Sequence, residues 1–136
     1  LLHGFLYQGT STTQLIIEIN GHHDAKGQFI VALFDSREKF EEQKDPAYYL
    51  SIDNQGKEGK IRTLVFNSVA AGQYALAIFQ DLNMNGELDK NWMGIPKEPY
   101  GFSGEGNHKW RPPSFEEAVF TVIEDEKRLK INLVEW

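Results

Sequence analysis

Residues 81 to 89 read Asp81-Leu82-Asn83-Met84-Asn85-Gly86-Glu87-Leu88-Asp89, with side-chain oxygens at positions 1, 3, 5 and 9 and glycine at position 6. Ca²⁺ takes about six to eight oxygen ligands at short range. A segment that binds it must turn tightly enough to aim alternate side chains inward, with glycine at the sharpest bend. Asp, Asn and Gly are also ordinary turn residues, but the strict alternation with Leu82, Met84 and Leu88 is a period that a plain turn outside a strand does not need. The expected ligands are the side chains of Asp81, Asn83, Asn85 and Asp89 and the backbone carbonyl of Glu87.

This pattern falls short of a full EF-hand. A strand-like run precedes it, Gly94 and Pro96 oppose a long helix behind it, and Trp92 stands at the twelfth position where a bidentate glutamate belongs. Asp81 and Asp89 bring two formal negative charges, and water or a distant carboxylate such as Glu98 would complete the shell. So few charges predict weak affinity, a Kd of about 10⁻⁴ to 10⁻³ M. Such a site pins a loop where Ca²⁺ is millimolar and does not follow a cytosolic signal.

A second set of residues invites contact with a ligand. Trp92, Tyr100, Phe102, Trp110 and Phe115 fall within 24 residues of a chain that averages 12% aromatics, with Gly94, Gly101, Gly104 and Gly106 between them. Rings in such a loop either stack on a flat ligand or cap the open end of the fold as a hydrophobic cluster. Stacking on a sugar through Trp92, Tyr100, Phe102 or Trp110 would make the chain a calcium-dependent carbohydrate-binding module. Ring exposure separates the two readings.

Other chemistry is poorly supported. The chain has no cysteine, which removes disulfides, thiol catalysis and thiolate-bound zinc. His22 and His23 are adjacent, so on a strand they point to opposite faces, and His3 and His108 are remote; surface histidines are expected rather than a zinc site. Acidic pairs such as Glu116-Glu117 show no sign of a shared cleft, and Ser103 lacks the nucleophile-elbow pattern. A calcium-dependent hydrolase, with the acidic loop as the rim of its active site, is the alternative from another class. It requires a cleft with paired carboxylates near Asp81 and Asp89.

The elements that must position these residues are strands. Leu15-Ile16-Ile17-Glu18-Ile19-Asn20 alternates and ends at Gly21, and Gln28 to Phe34 is apolar on both faces, as in a covered central strand. Ser36 opens a short charged helix that stops before Asp45-Pro46. Further strands are expected at 48–52, 60–66, 73–79, 118–123 and 129–133, the fifth of the seven running straight into the acidic loop. About seven short strands separated by turns predict an all-β fold, a single antiparallel β-sandwich of immunoglobulin-like or prealbumin-like type. The domain is expected to fill residues 1–136, with a loose segment at 1–12 and one long Gly/Pro/aromatic-rich loop from 94 to 113.

Composition narrows the partners. A chain of 136 residues holds one ordinary domain, and a net charge of -6 without a Lys/Arg cluster opposes nucleic acid. No apolar run approaches the ~18 residues of a membrane span. The chain opens at Leu1 rather than Met, which fits either a cut within a longer chain or a processed signal peptide upstream, and the sequence does not decide between them.

Several blocks together resemble a known family. They are Gly72-Gln73-Tyr74-Ala75, then Phe79-Gln80-Asp81 and the acidic loop, then Gly94-Ile95-Pro96-Lys97-Glu98-Pro99-Tyr100-Gly101-Phe102-Ser103, then Pro112-Pro113-Ser114-Phe115-Glu116-Glu117-Ala118. With Ile19-Asn20-Gly21 and Val31-Ala32-Leu33-Phe34-Asp35-Ser36 upstream, they resemble the domain of unknown function 2141 family, small exported bacterial proteins. The resemblance implies an exported β-sandwich, periplasmic or extracellular, and no established activity. Gln80 stands where the family usually shows histidine, which argues against a catalytic or metal-bound histidine there. The expected role is a binding or structural module of the cell envelope, with a glycan or an envelope protein as partner.

Overall fold

The computed structural model describes residues 12–55, 63–105 and 111–135. Trp110, His108, His3 and most of the expected loose segment 1–12 lie outside these residues; Thr12 already opens the first strand.

The described chain folds as β1 (Thr12–Asn20), β2 (Gln28–Phe34), α1 (Arg37–Glu42), β3 (Tyr48–Asp53), β4 (Thr63–Ala70), β5 (Gly72–Asp81), β6 (Tyr100–Phe102), α2 (Phe115–Ala118), β7 (Phe120–Val122) and β8 (Glu126–Asn132). One sheet has the order β4-β1-β8 and the other β3-β2-β5-β6, with β7 also on β5. The fold is all-β and sandwich-like, as its alternating strands predict.

Three features depart from the sequence reading. The sheets are not wholly antiparallel, since β1 and β8 run parallel from Gln14↔Glu126 to Asn20↔Asn132. These strands come from opposite ends of the chain, so no hairpin dictates their direction. The described strands number eight rather than about seven, because Tyr100–Phe102, inside the stretch expected to be loop, pairs with Ala77–Phe79 of β5. Gly101 permits this close packing: a Cβ there would lie 2.8 Å from Ile131 Cγ2. Ala118, expected to open a strand, instead ends α2.

The main core lies between the sheets. Alternation sends Leu15, Ile17 and Ile19 of β1 against Phe29, Val31 and Leu33 of β2 and Leu76 and Ile78 of β5, all at most 2% exposed. A second apolar layer covers the outer face of the larger sheet. Ala32, Ala75 and Ala77 leave shallow ground there, and Phe34, Phe40, Phe102 and Phe115 fill it. Phe40 is the hub, meeting Phe34, Phe102 and Phe115 edge-on at centroid distances of 5.8, 6.0 and 6.2 Å.

The two helices that carry this layer are short and are held by caps. Ser36 Oγ accepts the Lys39 N–H at 3.3 Å, and Gln43 closes α1 in a left-handed conformation. Ser114 and Glu117 form a reciprocal capping box on α2. Arg111 grips the Glu117 carboxylate through both guanidinium nitrogens at 2.9 and 3.1 Å, which with the cap holds this acid down at about 2. An Arg37–Glu116 ion pair ties α1 to α2.

Where β4 turns into β5, Tyr74 donates its hydroxyl proton to the Ala70 carbonyl at 2.8 Å, and the Ala70 N–H donates to Tyr48 Oη at 2.9 Å. Burial, with the Tyr48 phenol beside it, pushes Tyr74 from 10.0 up to about 12. A tyrosine whose folded pKa is raised is fully stabilising below its unfolded pKa and loses that contribution as pH climbs through the folded value. Stability should therefore hold to pH ~10 and then fall by at most ~3 kcal/mol between pH ~10 and ~12. Chemical denaturation across this range should show the loss, and Tyr74→Phe should flatten it.

Candidate functional site

The acidic loop leaves the end of β5. Register pairs Gln28 with Asp81, so the two side chains share the outer face of the larger sheet at the end of its two central strands. Asp81 is fully buried. Its Oδ2 accepts from Gln28 Nε2 at 2.8 Å and from the Gly86 N–H at 2.7 Å, and its Oδ1 accepts from the Asn85 N–H at 3.3 Å. The chain thus curls around the Asp81 carboxylate. Two left-handed residues make the curl, Met84 at φ 63° and Gly86 at φ 82°. Glycine takes that conformation freely, and methionine takes it at a cost of roughly 1 kcal/mol.

Further round, the oxygens of Asn83 and Asn85 accept the N–H groups two residues on, at 3.3 and 3.0 Å. Their amide nitrogens donate to the Asp89 carboxylate at 2.6 and 2.8 Å. Four of the five predicted ligands therefore form one connected cluster, Asp81, Asn83, Asn85 and Asp89. Glu87 joins through its backbone, with its side chain exposed.

Glu98, suggested by the sequence as a distant contributor, has a definite place. It is 3% exposed, and its two carboxylate oxygens accept the N–H groups of Leu82 at 2.8 Å and Asp89 at 2.9 Å. One side chain thus closes the mouth of the loop across both ends. No described lysine or arginine forms an ion pair with Asp81, Glu87, Asp89 or Glu98. Among the described residues no three His, Cys, Asp or Glu side chains gather as a metal site. A cation at this loop would depend on the amide oxygens as well as the carboxylates.

The sequence reading missed the frame behind the loop. Gln80 is fully buried on the core side of β5, where its amide accepts the His23 N–H at 2.7 Å and donates to the carbonyls of His23 and Lys26 at 2.7 and 2.9 Å. Asn54 reaches the same two carbonyls, each at 3.2 Å. Together they clamp the 21–27 turn against Asp81. Gly27 sits so close, at φ 60°, that a Cβ would collide with the Asp81 carbonyl oxygen. A buried glutamine beside a motif aspartate is the signal that could have revealed this clamp.

The histidine expectation needs one correction. The His22 side chain is not on the surface: it is 2% exposed and packs edge-on against Phe29 at 5.5 Å. His23 does reach solvent, where it meets Glu135 at 2.8 Å. Ser103 is a rivet, its hydroxyl accepting the Leu76 N–H at 2.8 Å and donating to the Ala118 carbonyl at 2.7 Å.

Downstream, Asn91 builds a tight turn, its side-chain oxygen accepting the N–H groups of Met93 and Ile95 at 2.8 and 3.1 Å. This turn leaves Trp92 91% exposed at its tip and Met93 58% exposed. Tyr100 and Phe102 go the other way, Tyr100 buried and Phe102 half-buried over the alanine face. Phe115 joins them. Beside these rings opens a cleft of about 650 Å³, bounded by α1, the exit of the acidic loop and the Arg111–Ser114 segment. Among the described residues its lining contains one carboxylate, Glu41.

The profile of the DUF2141 family, described as an uncharacterized protein conserved in bacteria, matches residues 17–131. The chain belongs to this family. The match to DUF2141 runs from within β1 almost to the end of β8, and so takes in both sheets, the acidic loop and the cleft. No curated protein and no solved structure matches the chain. For this DUF2141 member, Gln80 is accounted for as a clamp.

The Glu98 brace sets a measurable expectation. Glu98→Gln keeps the volume but leaves one of the two buried N–H groups facing another donor, so stability should fall by ~1–3 kcal/mol. Glu87→Gln, at an exposed position of the same loop, should change it by less than ~0.5 kcal/mol. Urea unfolding of the two variants checks the contrast.

Proposed function

We infer that this protein is a binding or structural module of the bacterial cell envelope whose 81–89 loop is braced by a weakly held Ca²⁺. The observation that carries the reading is the loop cluster itself. Asp81, Asn83, Asn85 and Asp89 converge beside Glu98, and no described cationic side chain pairs with these carboxylates. A hard cation suited to oxygen ligands answers that imbalance, and the donors present are all of that kind. Asp81, Asp89 and the amides of Asn83 and Asn85 would hold the ion, with the Glu87 carbonyl. A half-turn of each amide brings its oxygen toward Asp89 at the cost of the bonds it accepts from the Asn85 and Glu87 N–H groups. The ion would neutralise the loop and fix its shape.

Weak affinity points to a compartment where Ca²⁺ is millimolar, which supports export to the periplasm or beyond. No helix among the described residues is long and apolar enough to cross a membrane. Among the described residues the cleft lining offers the hydrolase alternative one carboxylate, Glu41, where an acid/base pair needs two.

Thermal melting of chelator-stripped protein tests the calcium reading. At Ca²⁺ tenfold above Kd, linkage adds ~1.4 kcal/mol and raises Tm by a few degrees, with no matching effect of Mg²⁺. Asp89 is partly exposed, so Asp89→Ala should fold and lose the rise. An absence of any Ca²⁺-specific rise at about 10 mM in the parent protein would refute the brace.

One observation favours a second reading, a calcium-dependent carbohydrate-binding module. The Trp92 ring is presented on a hydrogen-bonded turn and is almost wholly open. Trp92→Ala should then abolish retention on glycan columns while leaving Tm unchanged; equal retention by variant and parent would end this reading.

A further inference from the structure

The cleft beside the acidic loop has the size and lining of a small-molecule site. Its volume of about 650 Å³ falls inside the ~300–1,000 Å³ typical of ligand pockets. Phe40, Tyr100 and Phe102 supply an aromatic floor, and Leu88, Ile95 and Pro96 an aliphatic wall. This lining suits the apolar body of a ligand.

Charge at the rim selects the rest of the ligand. Among the described residues, Arg111 and Lys90 are the cations of the lining, but the Arg111 charge is already matched by Glu117. Lys90 is exposed and forms no ion pair with a described residue, and a bridge with Pro96 fixes its backbone. Glu41 on the α1 side of the cleft repels an anion and so turns it toward Lys90. One uncommitted positive charge suits one negative charge. A dianionic phosphate would carry an uncompensated charge into a protein of net charge -6.

We propose that the cleft between α1, the exit of the acidic loop and the Arg111–Ser114 segment binds small organic monocarboxylates. The aromatic or aliphatic body lies against Phe40, Tyr100 and Phe102, and the carboxylate pairs with Lys90 Nζ. This assignment stands on the cleft alone and holds whether or not the loop takes Ca²⁺.

The test is titration of the ¹⁵N-labelled protein with 2-naphthoate, 3-phenylpropanoate and decanoate, followed by amide chemical shifts. At least one of the three should give saturable shifts centred on Leu88, Lys90, Ile95 and Phe102, with Kd below about 1 mM, while Lys127 and Leu129 of β8 stay still. Lys90→Glu should raise Kd by at least about tenfold, and the uncharged amide of the same ligand should bind at least about fivefold more weakly than its acid. The proposal is overturned if none of the three moves the cleft amides at about 5 mM, if the shifts centre elsewhere, or if neither Lys90→Glu nor the amide changes affinity. Lys90 is exposed, so its variant retains the fold.

Discussion

A single carboxylate organises the functional end of this protein. Asp81 lies at the last position of β5 with no solvent exposure, and a buried charge is costly unless hydrogen bonds surround it. Three donors do so, one from β2 and two from the loop backbone. Because the donors belong to different segments, satisfying the charge also fixes where those segments lie. The strand end, the curl of residues 82–86 and the position of Gln28 are consequences of one electrostatic requirement.

From that anchor the arrangement spreads outward in both directions. Behind Asp81, the amides of Gln80 and Asn54 hold the 21–27 turn against the strand. In front, Glu98 bridges the two ends of the loop and so delivers the following chain back toward β5, where Pro99 accepts the Gln80 N–H and Tyr100–Phe102 forms β6. The cleft is a by-product of this return path. Its floor is the aromatic layer that the three alanines of the outer sheet face leave room for, and one wall is the exit of the acidic loop. Loop and cleft share Leu88, and Lys90 follows the loop directly, so the order of one is bound up with the shape of the other.

Much of this was legible in the sequence, and the limits have physical causes. Alternation in β1 and the doubly apolar β2 announce themselves because burial period and side-chain period coincide. Ser36 marks its helix by the same chemistry that caps it. The acidic loop was readable because its oxygen carriers and glycine lie within nine consecutive residues. β6 was not, since three residues held by a partner strand and packed against Ile131 carry no local signal. Glu98 and Gln28 were invisible as braces for a related reason: each reaches the loop by tertiary contact, and sequence spacing says nothing of that. The cleft draws its lining from four separate stretches and could be seen only in three dimensions. Of the candidate rings, Trp92 and Phe102 looked alike in the sequence, yet the Asn91 turn pushes one into water and β6 folds the other onto the sheet.

The parallel pairing of β1 with β8 has a bearing on how the molecule assembles. Residues such as Gln14 and Glu126 are neighbours in the sheet, although almost the whole chain separates them. Loop-closure entropy makes such contacts late events, favoured only once the intervening chain is compact. β1 buries Leu15, Ile17 and Ile19 in the main core, yet one of its edges has no partner until β8 arrives. During synthesis β1 leaves the ribosome well before β8, so its open edge must remain unpaired with other chains until β8 arrives.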